Sequence, residues 1–141
     1  MDDSIPQRFV DAWNSHEGAN LANLFAGDGT YEDLAIGAVH KGSNAIVAMI
    51  ARSVAFSRDY RMTLVSEQAN ADHYAVEWEM AGTNTGEWGQ LPATNKRFRF
   101  RAVSIGRLAA DGKITENRDY YSTADLADFR AQAGLNPSQG A

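Results

Sequence analysis

The stretch Arg97-Phe98-Arg99-Phe100-Arg101-Ala102-Val103-Ser104-Ile105-Gly106 alternates without interruption, with Phe98, Phe100, Ala102, Ser104 and Gly106 at every second position and Arg97, Arg99, Arg101, Val103 and Ile105 between them. Successive side chains of a β-strand point to opposite faces, so the stretch is a long strand with one inward face and one charged outer face. Its neighbours carry the same period. Tyr60 to Ala69, Tyr74 to Gly82, Lys96 to Ala109 and Lys113 to Tyr121 read as four strands, parted by turn-rich pieces such as Asn70-Ala71-Asp72 and Ala110-Asp111-Gly112. Such an order makes an antiparallel meander. On the strand from Tyr74, Val76, Trp78 and Met80 oppose Glu77 and Glu79, so the charged faces of two strands can pair.

The N-terminal half has the helical period instead. Ser4-Ile5-Pro6-Gln7 offers a hydroxyl cap, a proline in the first turn and a glutamine placed to close a capping box, and Phe9, Val10, Ala12 and Trp13 then form one buried stripe as far as about Ser15. A second helix follows Gly18, with Leu21, Leu24 and Phe25 on one face and Gly27-Asp28-Gly29 as its stop. Thr30 to Leu34 reads as a short strand leading into an irregular loop from Gly37 to Gly42. Ser43 caps a third helix, from Asn44 to about Phe56. A capped helix from Ser122-Thr123 to Gln132 and a frayed tail over 135–141 close the chain. The expected fold is α+β, one domain over residues 1–141, with helices gathered on one face of a curved antiparallel or mixed sheet.

Composition narrows the function. With 13 Lys and Arg against 18 Asp and Glu, the net charge of -5 disfavours nucleic acid and anionic membranes as partners, and the run Lys96 to Arg101 reads as a solvated or subunit-facing ladder. There is no cysteine, which removes disulfides and thiolate chemistry and agrees with a cytoplasmic location. The start Met1-Asp2-Asp3-Ser4 is acidic where a secretion signal is basic, and no apolar run reaches the length of a membrane span. His16, His40 and His73 lie apart with no acidic partner at ligand spacing, so no metal site is expected. Phosphate-cradling glycine loops and a serine-hydrolase elbow are absent as well. No cofactor is expected.

The strand Lys113 to Tyr121 carries the informative residue. Glu116, Arg118 and Tyr120 belong with the charged exterior, so Asn117, Asp119 and Tyr121 face inward. A buried carboxylate is costly unless partnered, and burial raises its pKa toward the range useful for proton transfer; Asp119 is either a hydrogen-bonded core acid or a working group. Asp33, after Tyr31-Glu32, is a weaker candidate of the same kind, because a carboxylate at a strand end also makes turns. Trp13, Trp78, Trp88 and Phe100, with Met49 and Met80, either pack a core or line a pocket for a flat apolar ligand.

Phe9-Val10-Asp11-Ala12-Trp13-Asn14, Leu24 to Asp33 and Gly112 to Tyr121 together resemble the nuclear transport factor 2-like superfamily, which includes ketosteroid isomerase, limonene epoxide hydrolase and the SnoaL-like polyketide cyclases. The excursion from Gly82 to Phe98, with its Pro92, Thr94 and Lys96, and the ending Leu126 to Pro137 are similar to the SnoaL-like members in particular. The resemblance implies a cone of curved sheet and helices around a deep pocket. It also implies that Asp119 is the acid/base of a cyclase, that Asp33 matches the isomerase's base, and that Tyr31 matches a water-holding tyrosine of the epoxide hydrolase.

Three departures are visible: Phe9 and Ser104 stand where the isomerase has its oxyanion tyrosine and aspartate, and Trp78 and Met80 stand where the hydrolase needs Arg and Asp. The cyclases' assisting histidine near Ser104 is also missing. The expectation is a cofactor-free polyketide cyclase that closes a ring by aldol addition on a small aromatic or polycyclic carbonyl compound. Asp119 and Asp33 are the catalytic candidates, with Trp13, Tyr31, Met49, Trp78, Trp88, Phe100, Ser104, Asn117 and Tyr121 against the substrate. Two alternatives remain: a hydrolase- or isomerase-like enzyme using Asp33, Tyr31 and Asp119, and a non-catalytic ligand-binding module. A homodimer through the outer sheet face, which carries Val103 and Ile105 among charges, is expected with either.

Overall fold

The computed structural model describes residues 4–87 and 92–122. The expected helix beyond Ser122, the expected tail over 135–141 and Trp88 lie outside those residues. Nine elements run in the order α1 (Ile5–Asn14), α2 (Gly18–Ala22), β1 (Phe25–Asp33), β2 (Ala38–Lys41), α3 (Ser43–Phe56), β3 (Arg61–Ala69), β4 (His73–Thr83), β5 (Arg97–Leu108) and β6 (Ile114–Tyr121). The six strands form one open mixed sheet in the order β2-β1-β6-β5-β4-β3. Every pairing is antiparallel except β1 with β6, which is parallel.

Local chemistry explains the ends of the elements. Ser4 caps α1 by accepting from the Gln7 amide at 3.1 Å. The Gln7 side chain does not return to close the box; its amide nitrogen donates to Asp11 one turn on, at 2.9 Å. The β3–β4 turn is held by Asn70, whose Oδ1 accepts from the Asp72 and His73 amides at 2.9 Å each. In the β5–β6 turn Gly112 takes φ 84°, a left-handed value that suits glycine.

Three boundaries in the first half differ from the expectation. The second helix ends at Ala22, and Phe25 with Gly27-Asp28-Gly29 belongs to β1. Gly29 allows a close backbone approach, since a Cβ there would lie 2.9 Å from the Ile114 carbonyl oxygen of β6. The loop from Gly37 to Gly42 contains β2, an edge strand of 4 residues, too short for its alternation to be read. Gly42, at φ 85°, is the cap of α3, and Ser43 is its first residue.

The meander follows the period-two reading. Tyr74, Val76, Trp78 and Met80 on β4, and Phe98, Ala102 and Ser104 on β5, are buried. They meet Phe9, Val10, Ala12 and Trp13 from α1 and Ile46, Met49 and Ile50 from α3 in one core. Burying these apolar side chains supplies about 1.5–3 kcal/mol each, the main term holding the helices to the sheet. On the outer face Glu79 lies between Arg99, at 2.9 Å, and Arg101, at 3.5 Å. Arg99 and Arg101 thus pair with Glu79 across two strands of one chain; of the readings open to this run, it is the one within a single molecule. These pairs are exposed and contribute little to stability.

Candidate functional site

β6 brings Asp119 to the inner side of the sheet, where it is 3% exposed. Parallel pairing with β1 sets Asp33 opposite Asp119 and Tyr31 opposite Asn117. Antiparallel pairing with β5 sets Ser104 opposite Asp119. The carboxylate thus collects donors from three strands. Oδ1 accepts from Ser104 Oγ at 2.6 Å and from Asn117 Nδ2 at 2.9 Å, while Oδ2 accepts from the Tyr31 hydroxyl.

Behind this carboxylate each donor is itself oriented. Trp78 Nε1, which can only donate, gives its hydrogen to Ser104 Oγ at 2.8 Å, so the serine hydroxyl hydrogen is directed to Asp119. The Tyr74 hydroxyl donates to Asn117 Oδ1 at 2.5 Å, which turns the amide NH2 toward the same carboxylate. Tyr74 reaches Asn117 from β4 by passing over β5 at Gly106. A Cβ on Gly106 would lie about 2 Å from the Tyr74 ring.

Burial dominates the electrostatics of Asp119 and raises its pKa to about 7; the bonds from Ser104, Tyr31 and Asn117 oppose that rise, and the Asp33 charge adds to it. The Tyr31 and Tyr74 phenols are held well above their usual range by burial first and by Asp119 second. Asp33 Oδ2 accepts from Tyr121 at 2.8 Å, and its pKa too is raised by burial against that bond. His40, inward on β2, is lowered by burial and then by the Arg52 charge.

Asp119, Asp33, Tyr31 and Tyr121 line a cavity of about 310 Å³, at the small end of ligand pockets. Its walls are mainly aromatic and thioether: Trp13, Tyr60, Trp78, Phe98, Phe100, Met49 and Met80. His40 and Arg52 also border it. Ser104 and Asn117, expected to meet a substrate, are not on the lining; they are fully buried and hold Asp119 from behind. Tyr121, expected against the substrate, is on the lining and donates to Asp33.

Sequence reasoning missed Tyr74, His40, Arg52 and Tyr60. Tyr74 shares the parity of Trp78 and was there to be read, whereas His40 stood in a segment taken for a loop, where no face can be assigned. Among the described residues no group of three or more His, Asp or Glu is placed to hold a metal ion. Nor is any helix among them long and apolar enough to cross a membrane.

Residues 7–117 match the sequence profile of the SnoaL-like domain. No functionally curated protein matches the chain in sequence. Among solved structures, a protein of ketosteroid isomerase-like fold from Catenulispora acidiphila, in complex with trimethylamine, is 30% identical over 96% of this chain and 95% of its own, with a TM-score of 0.76. A proposed SnoaL-like polyketide cyclase from a Jannaschia species superposes with a TM-score of 0.77 at 15% identity, covering 96% of this chain and 99% of its own. A proposed polyketide cyclase from Xanthomonas campestris gives 0.71 at 23% identity, over 90% and 92% of the two chains.

Proposed function

The chain belongs to the SnoaL-like domain family, and from that membership we propose that it is a cofactor-free cyclase, closing a ring in a polyketide-like carbonyl compound by intramolecular aldol addition. The observation that carries the reading is Asp119: a carboxyl buried at the cavity wall, with a pKa raised to about 7 and three side-chain donors fixing its orientation.

Oδ1 already accepts two hydrogen bonds from groups off the cavity, so Oδ2 is the oxygen that takes a proton from the carbon between two substrate carbonyls. The C–H electron pair becomes an enolate spread over those carbonyls. Its carbon attacks a second carbonyl carbon of the same molecule, forming the C–C bond, and the resulting alkoxide takes the proton back from Oδ2. Tyr31 adjusts to both states of the carboxyl. It donates to Oδ2 while Asp119 is ionised, and accepts from the protonated acid, which frees its own hydrogen for the substrate oxyanion. The aromatic walls fold the chain and exclude water.

Proton NMR in deuterated water tests this. A β-keto ester analogue should exchange its acidic hydrogen in the presence of the protein and lose that enhancement in Asp119→Asn. A second reading, an isomerase-like base at Asp33, is favoured by one observation: its carboxyl also lines the cavity with a raised pKa and a phenol donor in Tyr121. Loss of exchange in Asp33→Asn alone would select it. Measurable binding without exchange in any variant would select a non-catalytic binding module, for which the trimethylamine held by the Catenulispora relative is the precedent. The absence of cysteine supports a cytoplasmic setting. The exposed outer-face residues Val65, Val103, Ile105 and Tyr120 support a homodimer.

A further inference from the structure

The charged groups bordering the cavity are arranged by depth. Asp119 is fully enclosed; Asp33 and His40 are half-buried; Arg52, on the last turns of α3, is exposed. Among the described residues Arg52 is the only lysine or arginine on the lining, and its guanidinium makes no ion pair with any of them. Asp33, a carboxylate on the same lining, has its two oxygens engaged by Tyr121 Oη and the Ile36 amide. His40 borders the same cavity and is half-buried; burial first and the Arg52 charge second lower its pKa. Between mouth and floor the surface is aromatic and thioether. A cavity with an acid at its floor, apolar walls and an unpaired guanidinium at its rim is complementary to a molecule with an apolar ring body and an anionic end.

We propose that Arg52, with His40 beside it, forms an anion subsite at the cavity mouth that takes the carboxylate of an aromatic or polycyclic acid, whose ring body lies against Trp78 and Phe100 and points its reacting carbons at Asp119. The subsite rests on the cavity being the substrate site, and it names the class of substrate: a free acid rather than a neutral ester or an amine. A guanidinium fork accepts a carboxylate through two parallel hydrogen bonds, which fixes the direction in which the ring body enters. Because the subsite is partly solvated, its contribution is modest and acts on orientation as much as on affinity.

The test compares 2-naphthoate, 2-naphthamide and 2-naphthylmethylammonium by calorimetry at a pH of about 7.5, where the acid is ionised. Wild type should bind the acid at least about fivefold more tightly than the amide and the ammonium least of all. Arg52→Gln should abolish the preference for the acid while leaving the amide's affinity unchanged. Arg52→Lys, which keeps the charge and loses the fork, should retain part of the preference. Arg52 is exposed on a helix surface, so these variants fold, and the unchanged amide affinity reports that they have. Equal binding of acid and amide to wild type, a preference surviving in Arg52→Gln, tighter binding of the ammonium, or no binding of any probe would each overturn the subsite. The catalytic reading fails separately: acid preference without deuterium exchange of the neutral β-keto ester removes the cyclase and keeps the subsite, and exchange without acid preference does the reverse.

Discussion

The Tyr31 hydroxyl donates to Asp119 Oδ2 across the parallel pairing of β1 with β6, although the two residues stand 88 positions apart in the chain. Of the three side chains that donate to Asp119, Tyr31 alone lines the cavity, and it holds the carboxylate oxygen that Ser104 and Asn117 leave open.

Asp119→Asn keeps the shape and removes the base. Exchange of the acidic hydrogen should fall by about 10²- to 10⁴-fold, the usual contribution of a positioned acid/base group, with ligand affinity nearly unchanged. In wild type the exchange rate should rise with pH around a midpoint of about 7, because only the ionised carboxylate accepts the proton. A midpoint near 4 would show Asp119 to be an ordinary solvated acid and remove it from the chemistry.

The same raised pKa links folding to pH, in a direction opposite to that of a salt-bridged aspartate. Between about pH 4 and pH 7 the folded state keeps a proton on Asp119 that the unfolded chain has released, so this group's contribution to stability falls as pH rises through that window. The difference in denaturation midpoint between Asp119→Asn and wild type should therefore shift in favour of the variant from pH 4 to pH 7 and then level off. A constant difference across the window would contradict the linkage.

Ser104→Ala deletes a hydrogen bond that favours the charged carboxylate, so the pH midpoint of exchange should move further alkaline. It also strands Trp78 Nε1, a buried donor, at a cost of about 1–3 kcal/mol in urea unfolding. Ser104→Thr retains the hydroxyl and should restore the pH midpoint, which a purely structural role for the serine would not require.

Gly106→Ala adds one methyl group where the Tyr74 ring crosses β5. Displacing the ring costs about 1–3 kcal/mol by overpacking and breaks the bond that orients Asn117. Exchange activity should fall together with stability, whereas Tyr74→Phe, which keeps the ring and loses the hydroxyl, should lower activity through Asn117 without the steric cost.

On the outer face Val103 sits directly across from Tyr120, with Ile105 and Val65 nearby, all exposed. Two copies pairing through this surface would bury it, and sedimentation should show a dimer at micromolar concentration that Ile105→Glu dissociates. A monomer in wild type would rule the pairing out. Since Arg99 and Arg101 are already bonded to Glu79, raising the salt concentration should weaken the dimer only slightly.

The meander was legible because its strands are long and their alternation is strict: Arg97 to Leu108 is interrupted nowhere, and the inward position of Asp119 follows from parity alone. What escaped was set by contacts far apart in sequence. Gly27-Asp28-Gly29 has the composition of a helix stop, and its place in β1 follows from the pairing of Phe25 and Thr30 with β6 on either side of it. Ser104 and Asn117 share the inward parity of Asp119, and parity cannot separate a side chain that faces a cavity from one that lies behind it. The bond from Tyr121 to Asp33 was not legible for a related reason, since Asp33 and Asp119 stand side by side in register and one-dimensional reading does not rank their distances.

The pairing of β1 with β6 has a bearing on when the molecule can begin to work. Tyr31 and Asp33 are made early, but the strand that seats beside them is the last of the six and joins by a contact of high sequence separation, which is slow to close. A nascent chain halted before Ile114 would carry most of the aromatic wall and neither Asp119 nor Asn117. The buried carboxylate and the amide that orients it therefore come together with Tyr31 only once β6 has been made.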